Sequence, residues 1–70
     1  MSHIQSIIFD KHYWSPISSK LWLQHHNFHP IKKAHMTKNF YRYRIINPSH
    51  FSHFSTKKLF NHIDLVIGYQ

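Results

Sequence analysis

Residues Phe40 to Ile46 read Phe-Tyr-Arg-Tyr-Arg-Ile-Ile, and alternation of this kind suits a β-strand whose two faces meet different surroundings. Arginines are costly to bury without partners, so Tyr41, Tyr43 and Ile45 should face a core, with Phe40, Arg42, Arg44 and Ile46 on the opposite face. Such a strand requires a sheet that is covered on one side.

The rest of the chain supplies the other parts. Ile4 to Phe9 is a short apolar run of β-compatible residues, and Ile63 to Tyr69 is another; both read as strands buried on at least one face. Ser15-Pro16 is an N-cap followed by proline at the first helical position, where a missing N–H costs nothing. The spacing predicts a helix from Pro16 to His26, stopped by Asn27 in the left-handed conformation. One stripe of that helix holds Ser19, Trp22, Leu23 and His26, another Ile17, Leu21 and Phe28, so the core face stays ambiguous. Ile31 to His35 is a candidate partner strand, with Thr37-Lys38-Asn39 in the turn. Asn47-Pro48-Ser49 breaks the strand from Phe40 to Ile46 and is expected to open a short helical turn through Phe54. The expected architecture is one α+β domain over residues 1–70, a small three- or four-stranded, mostly antiparallel sheet packed on one main helix.

Seventy residues allow one small core, in a size range where stability is modest. Aromatics at 17% argue for folding, because disordered chains are poor in them. Without cysteine the chain has neither a disulfide framework nor a thiolate zinc site. It also has no apolar run of spanning length and no secretory signal pattern at MSHIQSIIF, so a location inside a cell or virion, away from membranes, is expected.

Charge carries the functional signal. Asp10 and Asp64 are the only side-chain carboxylates, and all nine Lys and Arg residues lie between them in sequence. A surface of one sign suits a polyanion. The formal charge of +7 counts nine histidines as neutral, and imidazoles, with an ordinary pKa of about 6.5, add positive charge on mild acidification.

In order and spacing, Trp14, Trp22-Leu23, His26, Pro30-Ile31-Lys32, Tyr41-Arg42-Tyr43-Arg44, Pro48, Phe51, Thr56-Lys57, Ile63 and Val66-Ile67-Gly68 resemble a small module of phages and large DNA viruses. Versions of it are sometimes attached to head-assembly proteins. Asn27 stands where similar proteins often have glycine. The resemblance covers nearly the whole chain and implies a viral or mobile-element setting for a self-contained domain, with no activity attached.

The candidate nucleic-acid contacts are Lys32, Lys33, Lys38, Phe40, Arg42, Arg44, Lys57 and Lys58. Cations neutralise phosphates, and a strand-borne aromatic such as Phe40 offers a stacking platform. Phe40 has a second option, packing under Phe51 to Phe54. Tyr41 and Tyr43 are expected in the core with hydroxyls at its rim. Ser55-Thr56-Lys57-Lys58 pairs hydroxyls with lysines, as phosphate grips do, but a plain turn explains it as well. His25, His26 and His29, and His50 with His53, have spacings that reach a metal, yet two acids offer few carboxylates to orient such imidazoles from behind, and neither a metal nor another cofactor is expected. His26 is expected to be buried and to cap local carbonyls. Trp14 reads as a core aromatic or a protein-binding anchor.

These residues predict a non-enzymatic nucleic-acid-binding protein that holds the phosphate backbone with little base selectivity. The alternative is a structural or adaptor module of a virion or larger assembly, whose basic face meets an acidic protein patch while an edge strand and Trp14 supply apolar contact. Separately, an open edge strand would allow two copies to pair. A metal-independent nuclease using a pair of histidines is the enzymatic option.

Overall fold

The computed structural model describes residues 1–59 and 61–70. Among the described residues the strands are β1 (Ser2–Asp10), β2 (His35–Met36), β3 (Phe40–Arg44), β4 (His53–Leu59) and β5 (Ile63–Tyr69), with one helix, α1 (Pro16–His25), and a 3-10 turn at Pro48–His50. The strands form one antiparallel sheet in the order β2-β3-β1-β5-β4. The sheet thus has five strands where three or four were expected, and the added one is β4, in a segment read as a turn.

Local chemistry fixes α1 at both ends. Ser15 Oγ accepts from the Ser18 N–H at 3.0 Å, and Ser18 Oγ accepts from the Ser15 N–H at 2.9 Å, a reciprocal capping box with serine at the third position. At the other end Asn27 adopts φ 59°. The Phe28 N–H donates to Leu23 O at 2.9 Å and the Asn27 N–H to Gln24 O at 3.1 Å, the two bonds of a Schellman stop. The stripe of Ser19 and Leu23 faces the sheet and is buried, whereas Ile17 of the other stripe is 75% exposed.

Phe9 is the centre of the core. It is 0% exposed and meets Trp14, Trp22 and Tyr43 edge-to-face at ring separations of 5.2, 5.7 and 5.6 Å, the arrangement that aromatic quadrupoles favour. Ile7, Leu23 and Ile63 complete the buried cluster. Tyr43 is 3% exposed, so its hydroxyl lies inside the core and not at the rim. Ser19 Oγ donates to Pro16 O, which leaves a lone pair to accept from the Tyr43 hydroxyl at 2.6 Å. The buried phenol is therefore satisfied. Trp14 ties the loop after β1 to the β4–β5 turn through Nε1, which donates to Asn61 O at 3.0 Å.

β1 is central and is buried on both faces near its middle, where Gln5, Ser6 and Ile7 are all enclosed. A register shift between Ile4 and Ser6 marks a bulge against β5. There the Gln5 side chain donates to Ile46 O at 2.9 Å and accepts from Ser6 Oγ at 2.8 Å, so neither polar group is orphaned.

The face away from α1 is covered at one end only. Cross-strand register places His3, Gly68 and Phe54 in one row, and the Phe51 ring lies directly on Gly68. Phe51 also meets Phe54 at 5.9 Å. A Cβ at position 68 would overlap that ring, so Gly68→Ala should lower stability by about 1–3 kcal/mol. Thermal unfolding checks this. Adding Phe51→Ala should recover part of the loss, and a Gly68→Ala protein as stable as wild type would contradict the packing.

Candidate nucleic-acid interface

The structure divides the eight candidate residues among several surfaces. By register, Phe40, Arg42, Arg44 and Lys58 point away from α1: Phe40 pairs with Asp10, Arg42 with Ile8, Arg44 with Ser6, and Lys58 with Asp64. Lys57 pairs with Leu65 and so shares the helix side of the sheet. Lys38 lies in the β2–β3 turn, held by the Thr37 N–H donating to Phe40 O at 2.9 Å and by Thr37 Oγ1 accepting from the Phe40 N–H at 3.1 Å. Lys32 and Lys33 are on the segment between α1 and β2.

The open face carries both signs. Asp10 and Asp64 line one shallow depression of about 230 Å³ together with Ile8, Phe40, Lys58, Leu59 and His62. One row across the sheet reads His35, Arg42, Ile8, Asp64, Lys58. Arg42 is half-buried, and its Nε finds no hydrogen-bond acceptor among the described residues. Phe40 lies at the Asp10 end, remote in register from the Phe51–Phe54 pair, so packing beneath that pair is not its role.

Asp10 Oδ1 accepts from the His12 backbone N–H at 2.9 Å and meets His12 Nδ1 at 3.0 Å. These contacts hold the carboxyl below its ordinary 3.8, the backbone bond most and the side-chain bond next; slight desolvation opposes them, and the charges of His12 and His62 add to the lowering. A carboxyl lowered on folding contributes stability above its ordinary pKa and loses it as pH falls through the lowered value. Asp10→Asn should therefore flatten the loss of stability below pH 3.8, as read from urea midpoints. The His12 ring is 73% exposed, open to water instead of lying in a cleft. Among the described residues no three His, Asp or Glu side chains converge on a metal position.

With both acids on the open face, the opposite flank is left with cations alone. A groove of about 490 Å³ runs between α1 and the segment leading into β2. Leu23, Phe28, Ala34, Met36 and Tyr43 line it, and Lys20, Lys32 and Lys33 stand at it without a carboxylate. Its geometry follows from the chain path. Beyond the Asn27 stop the chain turns past Pro30, the Ile31 N–H donates to Arg44 O at 2.9 Å, and His35 and Met36 then pair with Arg42 and Tyr41. The segment read as a strand from Ile31 to His35 thus touches β3 at its start and pairs fully only from His35, leaving Lys32 to Ala34 as the groove wall.

Lys20 is the residue that sequence reasoning missed. It sits on α1, beside the buried Ser19, and only the return of the chain past Pro30 brings it near Lys32 and Lys33. His26 departs from expectation in one respect: its Nδ1 is 2.8 Å from Trp22 O, as a carbonyl cap should be, but the ring is exposed and stacks on Trp22 at 4.0 Å.

Comparison with family models, characterised proteins and solved structures found no match. Among the described residues, no helix is long and apolar enough to cross a membrane.

Proposed function

We propose that this protein is a non-enzymatic nucleic-acid-binding domain that grips the phosphate backbone through the Lys20–Lys32–Lys33 groove, with little base selectivity. The observation that carries this reading is the placement of both carboxylates in the depression of the open face, which leaves the groove flank with one sign of charge. Lysines at such a surface neutralise phosphates and release condensed counterions. Arg42, Arg44 and Lys58 share their face with Asp10 and Asp64, so their attraction for a polyanion is partly cancelled and they act as secondary contacts. A viral or mobile-element setting, implied by the spaced motif from Trp14 to Gly68, is compatible with a small basic domain of this kind.

Electrophoretic shift assays with RNA and DNA at 50 and 200 mM salt test the reading. Binding of both, weakening steeply with salt, is the expected result. Affinity that ignores salt, or no shift with either polymer, would overturn it.

A protein-binding role has one observation in its favour. β4 is an outer strand whose residues from His53 to Lys58 are all exposed, and an open edge of this length can accept a further strand. Lys57 and Lys58 on that strand oppose self-pairing by charge. Cross-linking in expressing cells separates the two roles: recovered nucleic acid supports the first, a single protein partner the second.

A further inference from the structure

The groove is more than a row of lysines. A phosphate backbone alone needs only exposed cations, yet this surface is concave, and its lining includes the half-buried ring of Phe28 with Ala34 and Met36, over a floor of the buried Leu23 and Tyr43. Met36 is 58% exposed, so a large apolar side chain stands open to water beside Lys32 and Lys33. A volume of about 490 Å³ lies in the range of pockets that enclose small ligands. The ligand that suits such a surface has a flat apolar part joined to an anion, and an unstacked nucleotide has both.

We propose that the groove seats a base from a single strand against Phe28 and Met36 while Lys20, Lys32 and Lys33 hold the adjoining phosphates, so that the protein prefers single-stranded over double-stranded nucleic acid. The inference rests on the nucleic-acid reading above and adds to it the strandedness of the partner. In a duplex the base faces are already stacked on one another, so only the phosphates remain available to the lysines. In a single strand every base offers a free face, and stacking on aromatic side chains tolerates any sequence. Charge complementarity selects this occupant over a neutral apolar one: three lysines and no carboxylate line the groove.

The test uses the whole chain, a fluorescently labelled single-stranded 15-mer and the duplex of the same sequence, with anisotropy as the readout. Wild type should bind the single strand about tenfold or more tightly than the duplex, since one stacked base contributes at least a severalfold gain. Met36→Ser, a charge-neutral change at an exposed position, should weaken single-strand binding severalfold and leave duplex binding unchanged. An oligonucleotide carrying 4-thiouridine should also cross-link, on irradiation, to peptides containing Phe28 or Met36. Equal affinity for the two forms, with strong salt dependence in both, would overturn the base seat and keep the backbone reading. No binding of either form would overturn both. A Met36→Ser protein with unchanged single-strand affinity and no cross-link within the groove would assign that cavity to another ligand, such as an acidic peptide, and would likewise overturn the inference.

Discussion

Phe9→Ala should remove about half of this protein's stability and lower its thermal midpoint by roughly 12 °C or more. Truncating a buried phenylalanine costs about 3–5 kcal/mol through lost transfer energy and the cavity left behind. A domain of this length has roughly 4–10 kcal/mol in total. Phe9 also meets three other rings, those of Trp14, Trp22 and Tyr43. The cavity would lie between α1 and the central strand, where no neighbouring chain can collapse into it without moving the helix. Circular dichroism melts and near-ultraviolet spectra of the two tryptophans report the loss. Ile17→Ala, at a position 75% exposed, serves as the control and should change stability by no more than about 0.5 kcal/mol. A midpoint for Phe9→Ala within a few degrees of wild type would show that the core is not centred on this ring.

The second large effect is on binding. Replacing Lys20, Lys32 and Lys33 together by alanine should weaken binding to single-stranded nucleic acid by roughly a hundredfold at about 0.1 M salt, the counterion-release contribution of three phosphate contacts. The slope of log affinity against log salt should become shallower by about 2 in the same variant. All three side chains are exposed, so the thermal midpoint serves as an internal check that the fold persists. Arg42→Ala with Arg44→Ala should produce a much smaller change, because those side chains are half-buried and share their face with both carboxylates. The reverse ranking, with the arginine pair dominating, would place the contact on the open sheet face.

Features governed by neighbours along the chain are legible in the amino-acid sequence. Ser15-Pro16 and Asn27 bound α1 through bonds within a few residues, and the tyrosine–arginine alternation of β3 reports its two faces directly. β4 is not legible in this way. His53 to Lys58 are all exposed, so no hydrophobic alternation marks them; that segment is a strand because β5 offers a free edge for its backbone. The partial cover of the open face by Phe51 is equally hidden, since it depends on Gly68 lying opposite a residue seventeen positions earlier. Charge counts reveal an excess of cations but not their grouping. That grouping depends on the strand order β2-β3-β1-β5-β4, which brings Asp10 and Asp64 into adjacent positions although fifty-three residues separate them. Once both acids fall on one face, the basic surface moves to the other flank, and Lys20 joins Lys32 and Lys33 there.

Chemical-shift mapping on isotopically labelled protein tests the central claim most directly, because it reads the position of the ligand residue by residue. Titration with an unlabelled single-stranded oligonucleotide should shift the amides of Lys20, Gln24, His29, Lys32, Lys33 and Met36 first and furthest, all of which line the groove. Shifts concentrated instead at Ile8, Phe40, Lys58 and Asp64, around the depression that holds both acids, would contradict the assignment of the binding surface.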